Sequence, residues 1–330
     1  MRTTRWAPAL ALVLLAPWFA EMAWGGFPFT DIPLVLLFLA PMYGSAALLI
    51  REVARRTGRG WPTILLLGAA FGVLQAGIVD QSLFNPAYGR FDFQHPAHVD
   101  GIDVSLYYLV AFVTGHVVAS MAAPIVVAEC WSRRAAEPWL SRRATWVVGV
   151  VYVLASVLNH VGVKDEEGHG FQARPVQTLA AAGVVVALVV AGVLWRRWPV
   201  TTTRVPPPWV LVAVGFLGYL LYLPGETTAA LVVGVLVIVG VATVVGTWSR
   251  STHWRPRHAV ALATGSILVG LVMPFWSEPY DTSVTADREL VDDLVAAAVC
   301  LTIVLTTAWR LRSLRVRRSP AAGPEPVRAT

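Results

Sequence analysis

Residues 227–247 read TTAALVVGVLVIVGVATVVGT, a run of 21 residues that contains no charged side chain. An α-helix needs about 20 consecutive, mainly apolar residues to cross the hydrocarbon core of a bilayer. The flanking residues suit the two membrane interfaces, since Glu226 precedes the run and Trp248 and Arg250 follow it. The stretch therefore predicts a membrane-spanning helix with an acidic entrance and a basic exit.

Runs of this kind recur along the 330-residue chain, of which 56% is hydrophobic. Only 14% of the residues are charged, whereas a soluble domain carries about 25%. This composition, with a mean hydropathy of +0.61 and two cysteines, excludes a soluble enzyme, a disordered chain and a disulfide scaffold. The sequence predicts an all-α, polytopic transmembrane helical bundle of about ten spans. The predicted spans are 6–24, 32–50, 61–80, 104–130, 144–163, 177–195, 208–224, 227–247, 258–276 and 290–309.

The connections between these spans alternate in charge. Arginines follow the second, fourth, sixth and eighth spans and begin the tail, whereas carboxylates dominate the other connections. Because basic residues are retained on the cytoplasmic side, both termini are predicted in the cytoplasm. The same rule explains the net charge of +6 without a nucleic-acid partner, so the predicted partner is the lipid bilayer. The single lysine, Lys164, indicates an arginine-rich bacterial composition and hence the bacterial inner membrane.

The chain is predicted to contain one transmembrane domain, residues 1–313. Its first part, 1–163, is a core that bears polar residues, and 177–309 supplies apolar helices. Residues 314–330 are rich in proline, alanine and arginine, which is typical of a disordered, basic cytoplasmic tail.

The first span has two alternative interpretations. Arg2 and Arg5 precede an apolar stretch, as they would in a signal peptide. Residues 20–23 offer no clear small-x-small cleavage site, which favours an uncleaved first helix.

Polar side chains within the predicted spans are concentrated in the first five. Such residues are costly inside a bilayer and mark functional positions. Several of them recur at intervals of four, which places them on one face of a helix. We predict an outward-facing pocket for a small polar or cationic ligand, with Asp80 supplying charge, Tyr108 orientation and His160 a proton-sensitive donor. The candidate ligand-binding residues are Asp80, Tyr108, His116, Asn159 and His160.

Two of these residues have structural alternatives. His116 could be a neutral histidine that hydrogen-bonds a neighbouring helix. Asp80 could cap a helix end or pair with Arg90.

The outer loop near 81–103 contains residue types that suit zinc, namely His95, His98 and Asp100. The alternative is a solvated polar loop. The sequence has no P-loop, no G-x-S-x-G and no H-E-x-x-H, so no cofactor is indicated by a motif and no catalytic residue is assigned.

Two stretches resemble the intramembrane CAAX-protease and bacteriocin-processing family: residues 68–75, GAAFGVLQ, and residues 112–116, FVTGH. That family has a paired-glutamate helix followed by a Phe-x-x-x-His helix. Here Leu74 and Gln75 stand where the glutamates belong, so the resemblance implies a copy that has lost its hydrolytic centre.

Three functional hypotheses remain from the sequence. The first is binding or transport of a small polar or cationic ligand in spans one to five. The second is a degenerate, metal-dependent intramembrane hydrolase. The third is a non-catalytic membrane scaffold, in which the buried polar groups only fix the packing of the helices.

Overall fold

The computed structural model describes residues 6–196, 198–277, 279 and 283–316. The described chain is almost entirely helical, as its hydropathy predicts. The α-helices are α1 (Trp6–Glu21), α2 (Ile32–Leu39), α3 (Ser45–Arg56), α4 (Trp61–Leu74), α5 (Leu106–Gly115), α6 (Ala123–Trp131), α7 (Arg142–Asp165), α8 (Pro175–Leu194), α9 (Pro208–Leu220), α10 (Thr228–Ser249), α11 (Pro256–Leu268) and α12 (Ala286–Val316). Short 3₁₀ turns at Met22–Trp24, Val269–Leu271 and Met273–Phe275 extend α1 and α11.

Three helices of the first half pass without interruption into π-helical segments. These segments are Ala40–Gly44 between α2 and α3, Gln75–Val79 after α4, and His116–Ala122 between α5 and α6. A π-turn adds one residue to a helical turn and occurs frequently at functional sites. All three segments lie in the part of the chain that the sequence predicts to bear the polar core.

The long outer loop after α4 is ordered by its own contacts. A two-stranded antiparallel hairpin pairs β1 (His98–Val99) with β2 (Val104–Ser105). Ser105 then caps α5, because its side chain accepts a hydrogen bond from the backbone N–H of Tyr108. The loop also touches the α7–α8 connection, where the Asn85 amide donates to the Gly168 carbonyl.

Within the described residues, nine helices are long and apolar enough to cross a membrane. The predicted span at 208–224 differs, because α9 has only 13 residues and ends at Leu220. At 1.5 Å per residue it is about 20 Å long, against about 30 Å for the hydrocarbon core. Pro224 disfavours the helical conformation at the residue before it, which explains why the helix does not continue to 224.

The centre of the bundle is formed by α1, α3 and α6. Leu12 and Ala16 of α1 are fully buried, and all but the last residue of α6 is buried. Helix α1 packs closely against α6 and the first π-segment. At the periphery, every residue of α7 remains at least partly exposed, as a lipid-facing helix would be.

The end of α12 refines the predicted tail. Residues 314–316 belong to α12, which extends to Val316, although the sequence analysis assigned them to a disordered segment. Residues 317–330 lie outside the described part of the chain.

Candidate functional site

The candidate site lies around the C-terminal end of α4 and its π-segment. The Gln75 amide nitrogen lies 3.2 Å from the Asn159 side-chain oxygen and 3.5 Å from one Asp80 carboxylate oxygen. The other Asp80 oxygen accepts hydrogen bonds from the backbone N–H and the hydroxyl of Ser82. Asp80 therefore caps the chain after the helix, as the structural alternative predicts, and also faces Gln75.

Gln75 also belongs to this site, although it is not among the predicted ligand-binding residues. Its side chain is only 3% exposed, and its carbonyl oxygen Oε1 has no hydrogen-bond partner among the described residues. In an α-helix, residues five apart are separated by about 140° around the axis. The π-turn removes this separation, because the Asp80 backbone N–H bonds the carbonyl of Gln75, five residues earlier. A search for periods of 3.6 residues places Gln75 and Asp80 on different faces and so misses the pair.

Helix α7 brings its polar stripe to the same place. Asn159 contacts Gln75, and the His160 ring nitrogen Nδ1 lies 2.8 Å from the carbonyl of Val79. Two turns earlier in α7, the Tyr152 ring packs near Phe71 at a centroid distance of 6.5 Å. The apolar residues of α7 point away, as Leu158 shows with 71% exposure. The polar residues Tyr152, Asn159 and His160 of α7 thus face protein.

His116 belongs to a separate and deeper group. Its Nδ1 lies 3.0 Å from the Ser120 hydroxyl, and its ring packs against those of Phe71 and Tyr43. Tyr43 in turn donates a hydrogen bond of 2.5 Å to Glu21. His116 thus hydrogen-bonds Ser120 of its own π-helical segment and meets neighbouring helices through its ring, whereas the structural alternative expects a hydrogen bond to a neighbouring helix.

Tyr108 lies in a third group. Its ring packs on Phe93 and Phe112, and its hydroxyl faces the Glu226 carboxylate before α10. The five predicted ligand-binding residues therefore do not form one pocket. Asp80, Asn159 and His160 come together with Gln75, whereas His116 and Tyr108 take part in other contacts.

The histidines of the outer loop line a cavity of about 430 Å³. The His95 and His98 rings stack with centroids 5.5 Å apart. The His98 Nε2 atom lies 3.7 Å from an Asp100 oxygen and 3.8 Å from an Asp103 oxygen. Within the described residues, no three His, Cys, Asp or Glu side chains form a group that could hold a metal ion.

A buried charge cluster lies at the arginine-bearing end of the bundle. Arg51 and Glu52 are both 0% exposed, and the Arg51 guanidinium lies 3.3 Å from the centroid of the Trp139 ring. Arg55 binds both oxygens of Glu129, at 2.7 and 2.6 Å. From the sequence alone, these arginines indicate only which connections face the cytoplasm. The structure shows that they also join α3, α6 and the connection before α7.

The two helices that resemble the CAAX-protease family do pack together. A Cβ atom on Gly72 would lie 3.1 Å from the Val113 Cα and 3.2 Å from the His116 Cβ. The small-residue stripe of α4 is thus the contact face, as small residues predict in membranes. Gln75, at a glutamate position of that family, pairs with Asn159 and Asp80.

Comparison with known proteins identifies a family but no activity. A search of curated proteins and a search of solved structures each find no match. The family whose model matches is described only by its membrane location, and it is not the protease family that the two helices resemble. By this match over residues 10–324, the chain belongs to an uncharacterized membrane protein family.

Proposed function

We propose that this multi-pass membrane protein binds a small cationic ligand from the outer side, at the site formed by Gln75, Asp80, Asn159 and His160, as part of its transport. The observation that carries the proposal is the Gln75 carbonyl oxygen, buried without a hydrogen-bond partner among the described residues. A buried polar atom that lacks a partner costs about 1–3 kcal/mol, so its retention calls for an explanation.

The polar atoms of the site favour a ligand that donates hydrogen bonds or carries a positive charge. Oxygen acceptors come from the Gln75 carbonyl, the Asp80 carboxylate and the Asn159 side chain. The Gln75 NH₂ group already lies between two of these acceptors. A ligand that accepts hydrogen bonds would leave the Gln75 oxygen unsatisfied, whereas sodium or an ammonium group would satisfy it and offset the charge of Asp80.

The surrounding helices support a site rather than a packing contact alone. The π-segment Gln75–Val79 presents both Gln75 and Asp80, and α7 packs against it mainly through its polar stripe.

The test uses the full chain in lipid nanodiscs, titrated with sodium, ammonium and methylammonium chlorides by calorimetry. We expect at least one cation to bind wild-type protein, and Asp80→Asn to weaken that binding about tenfold or more, as expected for a lost charged partner. Asp31→Asn is the matched control, because Asp31 is an exposed carboxylate at the start of α2, away from the site. Gln75→Leu removes the unpartnered oxygen and should also weaken binding.

Two outcomes would contradict the proposal. One is a wild-type protein that binds none of the three cations. The other is an Asp80→Asn variant that elutes as wild type on size exclusion and binds the cation equally well. If, in addition, the His116→Ala variant matches wild type in elution and in cation binding, the scaffold hypothesis would be favoured.

A further inference from the structure

The cavity of the outer loop is a separate feature of the fold. It lies between the 84–103 segment and the start of α8, and Phe84, Pro86 and Phe171 form its apolar walls. Its volume of about 430 Å³ is within the range of about 300–1,000 Å³ that is usual for small-molecule sites. Its polar groups are Asp92, Gln94, His95, His98, Asp103, Arg174 and Gln177.

The arginine and glutamine side chains around this cavity already donate to protein acceptors. Arg174 binds the Asp103 carboxylate and donates to the carbonyl of Gly101. The Gln177 side-chain nitrogen donates to the carbonyl of Ile102. The Gln94 side-chain nitrogen donates to the carbonyl of Leu83.

The acceptors, in contrast, remain available. Gln94 is 5% exposed, and its side-chain oxygen has no hydrogen-bond partner within the described part of the chain. The Nδ1 atom of His95 contacts an Asp92 carboxylate oxygen, and the Nδ1 atom of His98 contacts the carbonyl of Gln94. Because both of these partners accept, each Nδ1 carries a proton.

The charges favour the same kind of ligand. Arg174 offsets Asp103, while Asp92 contacts the His95 ring and the Gln94 backbone N–H. The Gln94 backbone N–H and the His95 ring hold the pKa of Asp92 below its ordinary value, so this carboxylate stays charged at neutral pH. The lining therefore has two carboxylates against one arginine.

We propose that this outer cavity binds a primary amine with an apolar body, whose ammonium group donates to Asp92 and the Gln94 side-chain oxygen while its body lies against Phe84 and Phe171. The three N–H groups of an ammonium match acceptors such as the Asp92 carboxylate and the Gln94 side-chain oxygen. This site is distinct from that of Gln75 and Asp80, and it does not depend on it.

The experiment titrates the full chain in nanodiscs with phenethylamine, and with 2-phenylethanol and 3-phenylpropionate as neutral and anionic analogues. We expect phenethylamine to bind at least about tenfold more tightly than either analogue. Asp92→Asn should remove this preference, whereas Asp287→Asn, at an exposed carboxylate of α12, should keep it. Phe171→Ala should weaken phenethylamine but leave ethylamine unchanged.

The control for independence is Asp80→Asn, which should bind phenethylamine as the wild type does. Equal binding of all three probes, or no binding of phenethylamine by folded wild-type protein, would overturn the proposal. So would zinc binding that is lost in His95→Ala, because it would assign the cavity to a metal. If Asp92→Asn fails to fold, the preference among the three probes in the wild type and the Phe171→Ala comparison decide the matter.

Discussion

Glu52 is a fully buried carboxylate that has four polar partners. It accepts hydrogen bonds from the backbone N–H groups of Trp139, at 2.6 Å, and Leu140, at 3.2 Å. The guanidinium groups of Arg51 and Arg56 each lie 3.0 Å from it. A buried charge persists only with such compensation, because its transfer out of water is costly. Glu52 thus fastens the chain before α7 onto α3.

Replacing this residue tests its structural role. Glu52→Gln should destabilise the protein by about 3–5 kcal/mol, because it leaves Arg51 buried with less opposite charge. The measurement is the melting temperature in detergent. Glu137→Gln is the control, since its pair with Arg134 is largely exposed and an exposed pair contributes about 0–1 kcal/mol. An equal melting temperature for both variants would contradict the role assigned to Glu52.

At the scale of elements, glycine allows α9 and α11 to approach closely. A Cβ atom on Gly265 would lie 2.2 Å from the carbonyl oxygen of Val212, and one on Gly215 would lie 2.1 Å from that of Leu262. Atoms at these distances must move, and backbone atoms move at high cost. The short helix α9 is therefore held in the bundle by a contact that requires glycine on both helices, as small residues provide in membranes.

A methyl group at this contact gives the corresponding prediction. Gly265→Ala should lower stability by about 1–3 kcal/mol or more, through overpacking against the α9 backbone. Gly149→Ala is the matched control, because a Cβ atom there would meet no described atom within 4 Å. Thermal unfolding of both variants in the same detergent checks the difference. A Gly265→Ala protein as stable as Gly149→Ala would show that the two helices are not in close contact.

For the whole molecule, the alternating charges require α9 to contribute a crossing. Helix α9 is about 20 Å long. The seven residues 221–227, if fully extended, would lengthen this segment by at most about 23 Å. Non-helical backbone is tolerated at membrane depth where protein covers it. Such cover is present, since a Cβ atom on Gly234 of α10 would lie 1.8 Å from the carbonyl oxygen of Tyr222. We therefore expect α9 and this segment to cross together.

Cysteine labelling tests this topology and the outward placement of both proposed sites. Cys130 and Cys300 are buried, so cysteines introduced by substitution dominate the reaction with a membrane-impermeant thiol reagent. Glu166→Cys and Glu226→Cys should react in intact cells, whereas Ala136→Cys and Thr203→Cys should react only after permeabilisation. Equal reaction at positions 166 and 136 would contradict the prediction that these two positions lie on opposite sides of the membrane. Equal reaction at positions 203 and 226 would mean that α9 does not cross.

The sequence by itself determined the class of the protein, nine of its spans at full length and the half that bears the polar residues. Hydropathy suffices for these features, because a bilayer acts on each helix separately through its length and apolar surface. The polar faces of the first five spans were also predictable, since a regular helical period assigns residues at intervals of four to one face.

The tertiary structure decided which polar residues meet. The π-turn at Gln75–Val79 shifts the helical register and joins Gln75 to Asp80, and helix packing separates His116 and Tyr108 from Asn159. It also placed Asp92, Gln94 and Arg174 around one outer cavity. Local periodicity contains no information about such contacts, because they depend on how distant segments pack and on where a helix gains one residue per turn.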